Sequence, residues 1–463
     1  MHFIYRIKQL ILFFGDLLSF AIGFWISLLV RNFAVPTLEQ IQAHVLEFSI
    51  VFSLWILLNY INGLYDLDKQ SNPRIFYRRQ AETAGIALIV SIIFFYVLPI
   101  DRLTPKTILI LNILFGYGLM ALWRLGYNTL VGTKRLQTKV ILVGYTKETK
   151  DLIDLISTND DRGYKIVALI DADRTIKGSD LPDIDVYHGL NTIRPAITNY
   201  KANLVVIAPH LERDPAALRE LYELLFWPVE INNLTSFYEQ VTGRIPPSTF
   251  SEAWFLEHLR HTRQPIYDRF RTAIDGFFAL IMLVTFIVLF PFIALAIRLT
   301  SPGPIFIKQK RIGLGGRSFL LYKFRSMYAL SKDGMAEISG VEFAKKDDKR
   351  ITPIGKFLRR TRLDELPQVF NLIKRDVTLI GPRPERPEII EELERRMAYY
   401  PLRHLVRPGL TGWALIHQNY TDNYDTSLQK LQYDLYYIKN RSMLLDLSIL
   451  LRTINVIVRL MGQ

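Results

Sequence analysis

Cysteine is absent from the 463 residues, which excludes a disulfide framework, a thiolate zinc site and cysteine catalysis. Acidic side chains are scarce relative to basic ones, 44 against 57, for a formal charge of +13. No basic tail, zinc-finger spacing or RNA-binding signature is present, so no nucleic-acid partner is expected. Disorder is excluded as well, because half the residues are hydrophobic and the mean hydropathy is +0.15. Positive hydropathy together with basic charge indicates a membrane protein. Its basic parts should lie on one side, near acidic lipid or phosphate ligands. At ~150 residues per domain the length suggests roughly three domains.

Four apolar stretches fill the N-terminal quarter: Leu10–Val30, Val45–Ile61, Ala84–Ile100 and Thr107–Leu122. Each has the ~17–21 residues a helix needs to cross a bilayer. The first carries Asp16 and no small-residue cleavage site follows it, so it reads as a span rather than a signal peptide. Arg6, Lys8, Lys69, Arg74, Arg78, Arg79, Arg124, Lys134, Arg135 and Lys139 flank one side, and only Arg31, Arg102 and Lys106 the other. The positive-inside rule then places the N-terminus, and everything after residue 126, in the cytoplasm. Asp16 within a span is either a functional carboxylate or a helix-packing residue.

From Lys139 the pattern changes. Lys139–Gly144, Ile166–Asp171, Leu204–Pro209 and Val229–Leu234 read as strands separated by helices, which implies a parallel, Rossmann-like sheet. The turn after the first strand, Gly144-Tyr145-Thr146-Lys147-Glu148-Thr149-Lys150, has one glycine where the dinucleotide fingerprint needs three. A degenerate nucleotide fold with a structural or regulatory role is expected. Residues 241–268, rich in Pro, His and Arg, read as a linker with aromatic docking.

Gly276–Ile297 is 22 residues without a charge. Arg269 and Arg271 precede it, Arg298, Lys308, Lys310, Arg311 and Arg317 follow it, and a crossing would export 29 basic against 17 acidic residues. Pro291 removes a helical hydrogen bond within it. The expectation is a re-entrant helix–break–helix at about 274–298, entering and leaving on the cytoplasmic side. An ordinary spanning helix with a proline kink is the alternative.

The last third concentrates its chemistry in four motifs: Lys323-Phe324-Arg325-Ser326-Met327, Arg359-Arg360-Thr361-Arg362-Leu363-Asp364-Glu365-Leu366-Pro367-Gln368, Gly381-Pro382-Arg383-Pro384 and Arg407-Pro408-Gly409-Leu410-Thr411-Gly412-Trp413. Leu366, Val369, Phe370 and Ile373 follow helical spacing, and Pro367 is tolerated only in a first turn. A helix beginning near Asp364 puts both carboxylates at its positive end, which favours ionised carboxylate and attracts phosphate. A low-pKa carboxylate can attack phosphorus, and a neighbouring Glu can hold Mg²⁺. Simple helix capping by Asp364 and Glu365 is the plain alternative. The arginines upstream, and Arg383 held between Pro382 and Pro384, suit pyrophosphate. Ser427–Leu460 is amphipathic and fits either the headgroup plane or a core helix.

These motifs, with Ser301-Pro302-Gly303-Pro304 and the order LDELPQVFNLIKRD, LIGPRP and RPGLTGW, resemble the polyprenyl-phosphate hexose-1-phosphate transferases, the large monotopic phosphoglycosyl transferases of bacterial surface-polysaccharide synthesis. The resemblance implies transfer of a sugar-1-phosphate, glucose or galactose, from a UDP-sugar to undecaprenyl phosphate with release of UMP. It implies Asp364 as nucleophile forming a phosphosugar aspartyl ester, and a Mg²⁺ cofactor held by Glu365 with Asp364. Arg383, Arg359 and Arg407 would lie near phosphate, with Lys323 and Arg325 as further candidates, and Pro291 would be the re-entrant proline. After RPGLTGW the chain reads ALIHQNY, where the family often has an Asn-Gly-Arg run.

The expected fold class is membrane α-helical plus α/β. It comprises a four-helix transmembrane bundle (1–130), a Rossmann-like middle domain (136–240), the linker (241–268) and an α-rich monotopic catalytic domain (269–463) with its re-entrant helix. The expected setting is the bacterial inner membrane with the catalytic domain on the cytoplasmic face, as a homodimer contacting membrane lipid. Competing readings are a membrane-anchored nucleotide-sugar dehydratase or epimerase, which needs a glycine fingerprint and a Tyr-x-x-x-Lys pair, and a non-enzymatic polysaccharide-export scaffold.

Overall fold

The computed structural model describes residues 2–65, 73–97, 106–130, 137–157, 164–174, 176, 184–259, 264–329, 350–418 and 424–458. Lys69, Arg102, Lys134, Arg135, Asn419 and Tyr420 lie outside them. The chain divides into two compact units, Met1–Val241 and Thr242–Gln463.

The first unit opens with four long helices, α1 (His2–Asn32), α2 (Leu38–Ile61), α3 (Pro73–Val97) and α4 (Lys106–Leu130). Thr37 and Gln40 start α2 with a reciprocal capping box. Among the described residues, Gln9–Asn32, Leu38–Ile61 and Thr107–Tyr127 are long and apolar enough to cross a membrane. So is Pro265–Thr300 in the second unit.

Lipid gives helices no hydrophobic reason to associate, so packing and polar ties must hold them. Phe20, Phe48, Phe52, Trp55 and Tyr117 pack ring on ring at the centre. Trp55 Nε1 donates to Ser91 Oγ at 2.8 Å, Asn62 Nδ2 to Thr83 Oγ1 at 2.8 Å, and Gln80 Nε2 to the Tyr117 carbonyl at 2.9 Å. Asp16 is a packing residue. Arg124 Nε and Nη2 donate to its two oxygens at 3.0 and 2.5 Å, and Arg124 Nη1 donates to the Leu64 carbonyl at 2.7 Å. Both side chains are fully buried, so Arg124 is spent on Asp16 and is not an exposed flanking charge.

The rest of the first unit is β1 (Thr138–Val143), α5 (Lys147–Ser157), β2 (Tyr164–Asp171), β3 (Asp185–His188), α6 (Ile193–Tyr200), β4 (Leu204–Ile207), α7 (Pro215–Leu224), β5 (Glu230–Asn233) and α8 (Leu234–Thr242). All neighbouring strands are parallel, in the order β3-β2-β1-β4-β5. Alternation along β1 sends Val140 and Leu142 to a core with α5 and α8, and Ile141 and Val143 to one with α6 and α7. The half-exposed edge strand β3 has no apolar run and left no sequence signal. At the end of β1, a Cβ on Gly144 would lie 2.7 Å from Ala208 and 3.0 Å from His210. Glycine is therefore needed here for the close approach of the β1 end to the segment after β4.

The second unit contains α9 (Glu252–His258), α10 (Pro265–Thr300), the antiparallel pair β6 (Phe306–Ile312) and β7 (Ser318–Phe324), α11 (Pro353–Arg360), α12 (Val369–Lys374), β8 (Thr378–Ile380), α13 (Pro387–Arg396), β9 (Gly409–Thr411), α14 (Trp413–His417), α15 (Tyr424–Lys439) and α16 (Met443–Val458). The stretch 241–268 is not a free linker, since Ile245, Phe255 and Leu259 are buried in this unit's core. Leu431, Leu435, Tyr437 and Ile438 make α15 a core helix rather than an interfacial one, while α16 exposes Leu444 and Leu447.

Helix α10 runs unbroken through Pro291 for 36 residues, roughly 54 Å, so the expected helix–break–helix is not what forms. Proline removes one hydrogen bond here, and packing on both sides of it keeps the helix whole. Phe286 and Phe290 stack on Phe324 and Phe306 of the hairpin, with ring centroids 5.9 and 5.6 Å apart, while Ile293 and Ile297 join Leu358 and Val369. The N-terminal half is tied to the same unit. Tyr267 donates to Asp446 at 2.6 Å, Arg271 donates to the Ile380 carbonyl, and Asp275 accepts from the Thr378 hydroxyl at 2.6 Å and the Leu379 N–H at 3.0 Å. Phe277, Leu280, Val284, Ile287, Val288, Phe292 and Leu295 remain exposed along the other face.

Removing one partner of the Asp16–Arg124 pair strands a buried charge. Asp16→Leu is expected to lower unfolding free energy by about 3–5 kcal/mol, and Asp16→Leu with Arg124→Met to recover most of it. Thermal melts of the purified chain in detergent check both.

Candidate active site

The Asp-Glu motif sits on a turn rather than on the α-helix expected from its spacing. Residues 363–368 form a 3₁₀ turn, entered through Arg362 at φ 60°, which runs directly into α12. Pro367 fits because 3₁₀ bonding at the start of a helix leaves N–H groups unused. The turn is clamped from behind: Leu366 and Val369 enter the core with Phe324 and Leu358. Asn371 donates to the Leu320 carbonyl at 2.7 Å and accepts from the Tyr322 N–H at 3.0 Å, locking α12 to β7.

Three elements converge on Glu365. Lys323 of β7 donates to its Oε1 at 2.8 Å, Arg383 of the Pro-Arg-Pro loop donates to the same oxygen at 2.9 Å, and Arg362 Nη1 lies 3.7 Å from Oε2. Burial works to raise this carboxyl, but Lys323, Arg383 and Arg362 outweigh it and hold it well below the usual carboxylate range. The reciprocal effect raises Arg383, and burial lowers the Lys323 ammonium despite Glu365.

Asp364, next along the turn, behaves oppositely. It is 9% exposed, and its buried Oδ1 has no hydrogen-bond partner among the described residues. Burial raises it to about 6 with help from Glu365, against the pull of Lys323, Arg359 and Arg362. The low pKa expected from a helix terminus is thus corrected, because desolvation outweighs the short turn's dipole. At pH 7 the group is still about 90% ionised. Two adjacent carboxylates pushed apart in this way are a signature of a functional site.

The Pro-Arg-Pro loop is rigid by construction. Its peptide bonds are trans, as are all those among the described residues. A Cβ on Gly409 would fall 2.1 Å from the Gly381 nitrogen, so only glycine allows the segments of the third and fourth motifs to interlock through β8 and β9. Arg403 donates to the Arg383 carbonyl at 2.9 Å and to Asp434 at 2.8 Å, with both side chains buried. Glu385 meets Lys430 and Arg311. Burial works to raise it, but Lys430, Arg403 and Arg311 bring it down to about 2. Glu385, Arg403, Lys430 and Asp434 were not singled out in the sequence, Arg311 was read only as a basic flank of the apolar segment, and Arg362 was among the arginines upstream of the Asp-Glu pair. Of the four missed residues only Glu385 lies next to a motif.

The structure brings together Lys323, Asp364, Glu365 and Arg383, with Arg359 half-buried on α11 close enough to act on Asp364. It does not bring in Arg325, which is 1% exposed and donates to the Ser301 and Pro302 carbonyls at 2.7 and 2.6 Å. Arg407 lines a separate cavity against α10. Pro382 and Pro384 frame Arg383 as expected, and Pro291 lies within continuous helix.

Residues 266–460 match the model of the family described as bacterial sugar transferase. The chain is 37% identical over 235 residues to a UDP-N-acetylgalactosamine-undecaprenyl-phosphate N-acetylgalactosaminephosphotransferase of Aeromonas hydrophila, covering 50% of this chain and 52% of that one. It is 42% identical over 173 residues to a UDP-glucose:undecaprenyl-phosphate glucose-1-phosphate transferase of Xanthomonas campestris, covering 37% and 34%. A protein of the same name from Caulobacter vibrioides is 36% identical over 189 residues, 40% of this chain and 69% of its own length. The chain belongs to the bacterial sugar transferase family. The matched stretches span about half and a third of the first two relatives.

Two outcomes are expected from the Asp364 environment. Activity that needs its carboxylate falls on the acid side with an apparent pKa of about 6, and Lys323→Met moves that limb toward neutral pH by removing the largest opposing cation. Because the folded-state value lies above the ordinary 3.8, the stability contribution is full below that value and is lost as pH rises through about 6. Asp364→Asn should therefore raise the melting temperature at pH 7.5 by a few degrees, as read by calorimetry.

Proposed function

We propose that the chain transfers a sugar-1-phosphate from a UDP-sugar to undecaprenyl phosphate in two covalent steps at Asp364. The observation that carries this is the contrast within the turn: Glu365 neutralised by Lys323 and Arg383, beside a buried Asp364 whose Oδ1 has no partner among the described residues. An Asp364 oxygen attacks the sugar-bearing phosphorus, the bond to the inner phosphate oxygen breaks, and UMP leaves. The phosphate of the polyprenyl acceptor then attacks the same phosphorus, the aspartyl ester breaks, and the carboxylate is restored. Arg383 and Arg359 meet the charge on the transferring phosphate, and Lys323 keeps Glu365 ionised beside it.

Glu365 and Asp364 fit a Mg²⁺ ion of the kind the family resemblance implies. The orphan Oδ1 and the less occupied Oε2 are hard oxygen donors, and such ions take one or two carboxylates with phosphate oxygens completing the shell. No cluster of three potential ligand side chains occurs among the described residues, so substrate would supply much of the coordination. When bound, the ion would neutralise diphosphate charge.

The membrane setting follows from α10. Both of its halves are bonded to the same unit, both flanks are basic, and its outer face is a row of large apolar side chains. We read it as entering one leaflet without crossing, with α1–α4 as spans and the catalytic unit on the cytoplasmic face of the inner membrane. This serves a reaction between a soluble nucleotide sugar and a lipid phosphate. The chemistry fits the first membrane step of a surface polysaccharide, with glucose, galactose or N-acetylgalactosamine as the sugar, and a homodimer as the assembly.

Membranes carrying the chain, given a panel of UDP-sugars and undecaprenyl phosphate, should release UMP with one preferred sugar. Asp364→Asn should lose at least about 10⁴-fold in kcat and Glu365→Gln about 10²–10³-fold. Undiminished UMP release by Asp364→Asn would overturn the covalent role.

A further inference from the structure

A second cavity lined by basic side chains lies away from the Asp-Glu turn. A cavity of about 320 Å³ opens where α10, α12 and the segment before β9 meet. Leu280, Leu283 and Ile373 form an apolar wall, and Arg375 and Arg407 line it as well. Among the described residues, no hydrogen bond or ion pair engages either guanidinium. Arg375 holds the C-cap of α12 at φ 63°, a left-handed position where glycine would be unstrained. The one carboxylate in the lining, Asp275, is already occupied: it accepts from the Thr378 hydroxyl at 2.6 Å and from the Leu379 N–H at 3.0 Å.

Four 3₁₀ steps and four α-helical steps separate Asp364 from Leu372 on the cavity wall, roughly 14 Å along the axis. A phosphate held here is not the one reacting at Asp364. We propose that this cavity binds the phosphodiester of an anionic bilayer phospholipid, with Arg375 and Arg407 on the phosphate and the first methylenes of the acyl chain along Leu280, Leu283 and Ile373. The volume is near the lower bound of small-molecule pockets, ~300 Å³, and suits a headgroup rather than a nucleotide sugar. With Asp275 occupied, nothing in the lining answers a headgroup ammonium, so phosphatidylglycerol is favoured over a zwitterionic lipid. The site would seat the catalytic unit at a defined depth in an acidic leaflet. It rests on the reading of α10 as a membrane-inserted helix.

The test uses the full chain in bilayer discs of phosphatidylglycerol and phosphatidylcholine, with native mass spectrometry of lipid retained after partial delipidation. The wild type should keep phosphatidylglycerol. Arg375→Gln with Arg407→Gln should lose about tenfold or more of it, the equivalent of about 1.4 kcal/mol. Lys308→Gln with Lys310→Gln, the same charge change on the exposed β6 hairpin, should keep it. Equal loss in both double variants would reduce the effect to general surface charge and overturn the site. Displacement of phosphatidylglycerol by added undecaprenyl phosphate would assign the cavity to the acceptor and overturn the phospholipid proposal. An environment-sensitive dye on Ile287→Cys, unique in a cysteine-free chain, separates the two levels. A hydrocarbon signal in pure phosphatidylcholine with unchanged lipid retention by the arginine variant would sink this proposal alone. A water signal would remove the membrane reading of α10 with it.

Discussion

A buried glutamate cannot stay ionised without cations, and this need gathers the second unit's motifs around Glu365. One of its oxygens takes Lys323 from a strand and Arg383 from a proline-framed loop, 42 and 18 residues away along the chain. Arg383 is in turn held by Arg403 through its carbonyl, and Arg403 by Asp434. Breaking any of these contacts would leave a charge buried without its partner, so the arrangement resists rearrangement. Under the proposed reaction the same cations would meet the diphosphate of the substrate. Asp364 is pushed the other way, to about 6, by burial and by Glu365, and its Oδ1 has no hydrogen-bond partner among the described residues.

Helix α10 supplies the second constraint. Aromatic stacking of Phe286 and Phe290 on the β6–β7 hairpin fixes the strand that carries Lys323, while Asp275 and Arg271 bond the β8 strand that leads into the Pro-Arg-Pro loop. One apolar helix thus sets the position of two of the three groups around Glu365. The candidate site is thereby fixed relative to α10 and to the row of apolar side chains that this helix exposes.

The reach of the sequence differed by the kind of signal. Hydropathy located the helices of the bundle and the apolar body of α10, and short β-branched runs located four of the five parallel strands. The half-exposed edge strand β3 had no such run. Pro291 suggested a break because local propensity opposes helix there. Packing by Phe286, Phe290, Ile293 and Ile297 on either side overrides it. Motif density marked Asp364, Glu365, Arg383 and Lys323, because closely spaced charges next to prolines are visible in one dimension. It did not show that Arg325 ties down the Ser301–Pro302 backbone or that Arg407 lines a separate cavity against α10, since spacing along a chain does not say which wall of a fold a side chain faces. Arg403, Asp434 and Lys430 were invisible because their partners are far away in sequence. Asp16 was ambiguous for the same reason, until Arg124, 108 residues later, proved to be its partner.

The claim that matters most is a covalent bond between Asp364 and the sugar-bearing phosphorus. Single-turnover incubation with a UDP-sugar labelled at that phosphorus, without acceptor, tests it directly. Label should appear on the protein, map by mass spectrometry to the peptide containing Leu363-Asp364-Glu365, and pass quantitatively to undecaprenyl phosphate when that lipid is added. Label that reaches the lipid at full rate while the protein never carries it would contradict the account.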